Sequence, residues 1–151
     1  MDIIAGKYSE QVEIIPFCPE MGIGLGVPRD KIELVRQKDE SIRVLGVENH
    51  TWDVTDALQS YAEKFLKQYP FLDTFIVKSR SPSCGYNTTP VFVSGVEVAM
   101  DSGMFVQTLL KIKPDLKIIN ESALLTEQDC LSFMSQNAEI GMRLDIDLRK
   151  Y

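Results

Sequence analysis

Clustered positive charge is scarce in this sequence. Lys and Arg number 16 against 22 Asp and Glu, which gives a formal net charge of -6. No dense stripe of Lys and Arg offsets this acidity, and binding to a phosphate backbone depends on clustered cations. The composition therefore disfavours a nucleic-acid-binding protein, although recognition of a single structured base in an RNA, which needs less charge, stays open.

Long apolar runs are absent as well. No stretch approaches the roughly 20 apolar residues that span a bilayer. The first residues lack a basic segment followed by an apolar one, so no signal peptide is indicated. We therefore expect a cytoplasmic protein with no membrane association, whose thiols stay reduced. With 151 residues, 44% of them hydrophobic, residues 1–151 fit a single domain with its own core.

Residue types that bind metals are few. His50 is the only histidine, which excludes a His-rich metal site, and the cysteines are Cys18, Cys84 and Cys130. In a reducing compartment, such cysteines indicate free thiols, a metal or a cluster ahead of disulfides. Cys130 falls beside apolar residues of a predicted helix, so we predict a packing role for it.

Short buried strands alternate with amphipathic helices along the chain. A hairpin is predicted from residues 32–36 and 42–47, and the clearest helix follows Trp52, where apolar residues recur at helical spacing. Other strands are predicted at residues 12–17, 74–78 and 117–120. Ser102 is a candidate cap of a second helix. Thr126 opens the last helix, with Asp129 in place for a capping box and Leu131 among the residues expected to point inward. This alternation predicts an α/β fold, namely a three-layer Rossmann-like sandwich with a mostly parallel sheet.

Two cysteines follow predicted strands. Cys18 comes at the end of the first strand, and Cys84 lies a few residues beyond the strand at 74–78. Ligand sites of open α/β sheets lie at the carboxyl edge of the strands. If the two strands are parallel, the fold brings both cysteines to that edge.

Cys18-Pro19-Glu20 places a thiol, a rigid turn and a carboxylate within three residues. A thiolate can bind a soft metal or attack an electrophile, and Glu20 can move protons beside it. The alternative is a buried structural cysteine at the end of a strand.

Ser81-Pro82-Ser83-Cys84-Gly85 offers two hydroxyls and a thiol beside a permissive glycine. Lys78 and Arg80 precede it and favour a thiolate or an anionic ligand; the alternative is a polar turn. The Gly22–Gly26 loop with Arg29 is either an anion cradle or a flexible turn.

These motifs together resemble the DUF523 family. The resemblance rests on Phe17–Arg29, on Asp53-Val54-Thr55 and on Ile76–Gly85, with Gly103-Met104-Phe105 and the last helix in addition, and it covers nearly the whole chain. That family includes thiouracil desulfidases, single-domain proteins in which three cysteines hold a [4Fe-4S] cluster. The fourth iron is left open to take sulfur from a thiolated pyrimidine.

The resemblance implies that Cys18 and Cys84 are metal ligands of such a cluster. It also implies proton-handling roles for Glu20 and Ser81, with Ser83 as a helper. An iron with an open position is a soft Lewis acid for sulfur, and a carboxylate and a hydroxyl nearby can guide water to the carbon. The prediction is an iron–sulfur-dependent desulfidase acting on a thiolated pyrimidine base or a similar small molecule.

One part of the family pattern is missing. Members begin with a strand and turn reading Ser-x-Cys-Leu-Leu-Gly, then Arg-Tyr-Asp-Gly, whereas Met1–Tyr8 resembles the helix that follows them. By this resemblance, the sequence lacks the first cluster cysteine and a central strand, and Cys130 matches no family cysteine. Three explanations compete: a longer native protein, which we favour, a natural short member without the cluster, or a homo-oligomer in which another chain supplies the strand.

A second hypothesis follows from the missing cysteine. The chain would then be a non-catalytic cytoplasmic domain of the DUF523 family that binds a small molecule or an anion in the same cleft without a cluster. A structural zinc site is a weaker third reading, because it needs four nitrogen or sulfur ligands and the sequence supplies no credible set.

Overall fold

The strands are divided between two sheets. A computed structural model of the protein describes residues 13–137 and 143–146, with side chains within residues 15–133, so the helix predicted at Met1–Tyr8 lies outside the described residues. The strands are β1 (Glu13–Pro16), β2 (Ile32–Arg36), β3 (Ile42–Gly46), β4 (Thr74–Val77), β5 (Thr89–Val93), β6 (Val96–Asp101), β7 (Lys117–Asn120) and β8 (Arg143–Ile146).

The first sheet has the order β1-β8-β4-β7, and each of its neighbouring pairs is parallel. Its strand β4 is buried along its whole length, which suits a run of β-branched and aromatic residues in a parallel sheet. Because β1 and β4 run in the same direction, their carboxyl ends lie at one edge of this sheet.

The second sheet is mixed and has the order β3-β2-β5-β6. The predicted hairpin is confirmed as the antiparallel pair β2 and β3. Strands β5 and β6 form another antiparallel pair, whereas β2 and β5 are parallel neighbours. The separation of these strands from the first sheet was not expected from the sequence.

Four α-helices are described: α1 (Pro19–Gly22), α2 (Thr55–Gln68), α3 (Met104–Ile112) and α4 (Glu127–Asn137), with a 3-10 turn at Glu121–Ala123. The predicted capping box of α4 is confirmed, since Thr126 N donates to Asp129 Oδ2 at 2.9 Å and Asp129 N to Thr126 Oγ1 at 3.1 Å. The prediction that Leu131 points inward was wrong, because this side chain is exposed.

The α/β class predicted from the sequence is thus confirmed. The three-layer Rossmann-like sandwich built on one mostly parallel sheet is not confirmed, because the strands form two four-stranded sheets and the second has mixed pairing. Within the described residues, no helix combines the length and apolar character needed to cross a membrane.

Among the described residues, α2 and α3 both contribute to two hydrophobic cores that lie against these sheets. Phe65 and Phe105 belong to the larger core, which also takes in Phe75 and Cys84. The amino-terminal turns of the same helices, at Leu58 and Met104, pack into the second core with β2, β3 and β5. This shared packing fixes the two helices, and hence the loops joined to them, against both sheets.

Candidate active site

Cys18 lies at the carboxyl end of β1, as expected. It is the residue before α1, and its carbonyl accepts a hydrogen bond from Gly22 N at 2.9 Å. The preceding residue, Phe17, anchors this position, since its ring centroid lies 4.3 Å from that of Phe65 and 5.1 Å from that of Phe105. Cys18 itself is only partly buried.

Cys84 lies in the segment that follows β4, which we call the site loop (residues 79–86). Its side chain is fully buried and belongs to the larger core. Inside the loop, Cys84 N donates to Ser81 Oγ at 3.2 Å, and Gly85 N donates to Ser81 O at 2.9 Å. These bonds curl the loop so that Ser81 and Cys84 lie side by side.

The amino-terminal end of α3 holds the middle of the site loop. Met104 N donates to Pro82 O at 3.0 Å and Phe105 N to Ser83 O at 2.9 Å, so the loop carbonyls satisfy N–H groups that a helix leaves unpaired. Ser102 was predicted to cap this helix. That prediction was wrong: Gly103 is the capping residue, and its Cα lies so close to the loop that a Cβ would meet Ser83 C at 2.4 Å.

A chain of hydrogen bonds joins the two cysteine motifs. The Ser83 hydroxyl donates to Glu20 Oε1 at 2.8 Å, and the Ser83 and Ser81 hydroxyl oxygens are 3.0 Å apart. The Cys84 thiol donates to Ser81 Oγ at 3.3 Å. Glu20 and both serines are buried, so the chain is shielded from water.

Arg29 completes the link back to Cys18. Its Nε donates to Glu20 Oε2 at 2.6 Å, its Nη2 lies 3.7 Å from Cys18 Sγ, and its Nη1 donates to Gly26 O at 2.6 Å. All three guanidinium nitrogens therefore contact groups of the protein. The guanidinium is thus directed towards Glu20 and Cys18, whereas the sequence left open either an anion cradle or a flexible turn for the Gly22–Gly26 loop with Arg29.

A cavity of about 840 Å³ opens beside this network. Cys18, Glu20 and Arg29 form part of its wall, and apolar side chains of β2 and β5 form another part. Lys78 and Arg80 lie on its border, where the sequence placed cationic groups. Each has an acidic neighbour, since Lys78 pairs with Glu121 at 3.0 Å and Arg80 with Glu97 at 4.0 Å.

The residues described do not by themselves complete a site for a [4Fe-4S] cluster. Such clusters are held by cysteine thiolates, and the described part of the chain contains no group of three or more His, Cys, Asp or Glu side chains placed to hold a metal ion. At this sheet edge the described residues provide two thiols, those of Cys18 and Cys84, which is fewer than such a cluster needs. Cys130 is buried in α4, in keeping with its predicted packing role.

The structure thus brings together Cys18, Glu20, Ser81, Ser83 and Cys84, the five residues singled out from the sequence. Sequence reasoning missed the contacts through which Arg29 holds two of them. The Pro28-Arg29 motif was the available signal, but it gave no direction for the side chain.

Comparisons with known proteins agree with these motifs. The sequence model of the 2-thiouracil desulfurase family matches residues 1–121. Among solved structures, the fold is similar to the "[4Fe-4S]-dependent thiouracil desulfidase TudS (DUF523Vcz)", with a TM-score of 0.52 and 28% identity over 78% of this chain and 73% of that chain. No curated protein matches the chain. Because the family match spans well over half of its residues, the chain belongs to the 2-thiouracil desulfurase family.

Proposed function

We propose that this chain is a cytoplasmic, iron–sulfur-dependent enzyme of the desulfidase type, which replaces the sulfur of a thiolated pyrimidine base, or of a similar small molecule, by oxygen. The observation that carries the proposal is the hydrogen bond of 2.8 Å between Ser83 and Glu20, which joins the two cysteine motifs beside the cavity. Family membership and the similar desulfidase structure support it.

The similar solved structure is described as [4Fe-4S]-dependent. In this chain we propose Cys18 and Cys84 as two ligands of such a cluster. The remaining ligand is not assigned among these 151 residues. The proton-transfer roles proposed for Glu20, Ser81 and Ser83 depend on hydrogen bonds between protein side chains and do not involve the cluster.

Hydrolysis of a thiocarbonyl forms a carbon–oxygen bond from water, breaks the carbon–sulfur bond and releases hydrogen sulfide, so both protons of the water must reach the departing sulfur. Glu20 is placed to accept the first proton, because Arg29 and Ser83 hold its two oxygens at the cavity wall. The serine hydroxyls continue the hydrogen-bond path towards Cys84. Glu20 would pass this proton on to the departing sulfur and would then transfer the second proton, which the newly bound hydroxyl loses as the carbonyl forms. The Ser81–Ser83 path holds the carboxylate in place and shields both transfers from bulk water.

The test is sulfide release from 2-thiouracil after anaerobic reconstitution of the protein with iron and sulfide and removal of the excess. We expect a brown chromophore, bound iron, and the formation of uracil and hydrogen sulfide in equal amounts. Cys18→Ser and Cys84→Ser should lose both the chromophore and the activity. The matched control is Cys130→Ser, which removes a buried thiol outside the network and should keep both.

A protein that binds iron but releases no sulfide, or equal losses in all three cysteine variants, would contradict this function. Equal losses would show that the effect is not specific to the two proposed ligands, Cys18 and Cys84.

A second candidate is a non-catalytic domain that binds a small molecule or an anion without a cluster. The observation that favours it is the pair of cationic side chains, Lys78 and Arg80, that line a cavity in whose wall the described residues place one thiol, that of Cys18. In that case reconstituted protein would contain no iron, whereas uracil or inorganic phosphate would raise its melting temperature. Lys78→Met should reduce such a shift, and Lys111→Met, which replaces an exposed lysine on α3 away from the cavity, should not.

A further inference from the structure

Two consecutive residues at the end of β7 contact the two ends of the site loop. Strands β4 and β7 are parallel neighbours with Val77 opposite Asn120, so the chain leaves both strands at the same edge. Glu121, the first residue after β7, therefore comes close to Ser79, the second residue after β4, and the two form hydrogen bonds.

Glu121 holds the first end of the loop. Its Oε2 accepts hydrogen bonds from Ser79 N at 2.6 Å and from Ser79 Oγ at 2.9 Å. Its Oε1 pairs with Lys78 Nζ at 3.0 Å. One carboxylate thus fixes both the backbone and the side chain at the point where the loop leaves β4.

Asn120 holds the other end. Its Nδ2 donates to Tyr86 O at 2.9 Å, and its Oδ1 accepts from Tyr86 N at 3.2 Å. A side-chain amide that bonds both backbone groups of one residue imitates the pairing of a neighbouring strand. Tyr86 comes two residues after Cys84, so this contact limits the freedom of the thiol-bearing segment.

We infer that Asn120 and Glu121 are positioning residues, which set the placement of Ser81, Ser83 and Cys84 by holding both ends of the site loop. The inference rests on the proposed function for its catalytic meaning, but the geometry of the loop can be tested without activity. Because α3 still holds Pro82 and Ser83, loss of one end contact should loosen the loop rather than unfold the protein.

The test measures how fast iodoacetamide alkylates Cys84 in the native, reduced, iron-free protein, with mass spectrometry to identify the labelled cysteine. Cys84 is fully buried, so labelling requires an opening of the loop. Asn120→Ala removes two hydrogen bonds, and we expect labelling to accelerate on the order of tenfold. Glu121→Ala should act similarly, and Glu121→Gln, which keeps an acceptor for Ser79, should act more weakly.

Global unfolding is measured in the same samples by hydrogen exchange in α2, where Leu58 and Ala62 are fully buried. In the Asn120 and Glu121 variants, exchange in α2 should change by less than about twofold while the labelling of Cys84 rises. Val44→Ala is the comparison for general destabilisation, because it removes methyl groups from the second core. It should raise α2 exchange and Cys84 labelling in proportion.

Asp115→Asn is the charge-matched control for Glu121→Gln, since Asp115 is an exposed carboxylate in the turn before β7. It should leave both rates unchanged. Proportional increases in α2 exchange and Cys84 labelling, or no increase at all, would overturn the inference.

With active protein, a positioning role also predicts a fall in kcat at nearly constant KM for Asn120→Ala. Because labelling is measured without iron or substrate, a failure of the proposed function would leave its outcome intact. If Asn120 and Glu121 do not position the loop, their replacement would leave the ratio of Cys84 labelling to α2 exchange unchanged, whether or not the protein is active.

Discussion

Ser83 donates a hydrogen bond to Glu20 at 2.8 Å across 63 positions of the sequence. Both side chains are buried, and in a shielded setting such a bond to a carboxylate is stronger than one between neutral groups in water. Glu20 lies two residues after Cys18 and Ser83 one residue before Cys84. This contact therefore links the two cysteine motifs directly.

Replacement of Ser83 by Ala should cost about 1–3 kcal/mol in the free energy of unfolding, because a buried carboxylate oxygen loses a donor. If the hydroxyl also takes part in proton transfer, sulfide release should fall by about 10² or more. Urea denaturation and the 2-thiouracil assay measure the two effects. Ser60→Ala, at an exposed hydroxyl on α2 away from the site loop, should stay within about 0.5 kcal/mol of the parent.

Arg29→Ala should be more damaging than the loss of a surface cation. Arg29 and Glu20 form an ion pair of 2.6 Å with side chains only 14% and 4% exposed, and removal of one partner from such a pair costs about 3–5 kcal/mol. Arg36 pairs with Glu40 at 3.9 Å on the surface, so Arg36→Ala should cost about 0–1 kcal/mol. Equal losses of unfolding free energy in the two variants would show that the Glu20 pair contributes nothing beyond surface charge.

Much of the local structure could be predicted from the sequence because it depends on neighbouring residues. The apolar spacing after Trp52 predicted α2, which begins at Thr55 and ends at Gln68, and the polar turn between β2 and β3 predicted their hairpin. These features need no knowledge of distant contacts. The juxtaposition of Cys18 and Cys84 could be anticipated for a related reason, since parallel strands have their carboxyl ends at a common edge.

Other features depend on contacts between distant segments, for which a single sequence gives no signal. The pairing of β2 with β5 joins residues more than 50 positions apart, so the second sheet was not anticipated. From the sequence, Arg29 looks like an exposed cation next to a glycine-rich loop. Only the fold shows that its guanidinium contacts Glu20. Asn120 and Glu121 look like ordinary polar residues at the end of a strand, and only the parallel pairing with β4 reveals their contacts with the site loop.

Gly103→Ala should destabilise the junction between α3 and the site loop. An added Cβ would lie 2.4 Å from Ser83 C and 2.6 Å from Cys84 N, which are backbone atoms that cannot move away alone. The control is Gly95→Ala in the turn between β5 and β6. There φ is +77° but no atom lies within 4 Å of the new Cβ, so the cost is limited to about 1–2 kcal/mol of backbone strain.

We expect Gly103→Ala to lower the melting temperature more than Gly95→Ala does, and to accelerate alkylation of Cys84. Differential scanning calorimetry and cysteine labelling give the two measurements. A melting temperature for Gly103→Ala equal to or above that for Gly95→Ala would mean that the loop has room to shift.

The contribution of Glu121 should depend on pH. Partial burial tends to raise the pKa of this carboxyl, but hydrogen bonds from the Ser79 backbone N–H, Lys78 and the Ser79 hydroxyl outweigh it, and the net pKa lies below the ordinary value of 4.5. A carboxyl whose pKa is lower in the folded state stabilises the fold above its unfolded pKa. This stabilisation disappears as the pH falls through the folded-state pKa.

The difference in unfolding free energy between the parent protein and Glu121→Gln should therefore be constant from about pH 6 to 7 and should shrink below about pH 4.5. Urea denaturation at a series of pH values measures it. In a Lys78→Met background, which removes one of the groups that lower the pKa, the change with pH should be smaller. A difference that stays constant down to pH 3, or one that grows on acidification, would contradict the assignment of Glu121 as an ionised anchor of the site loop.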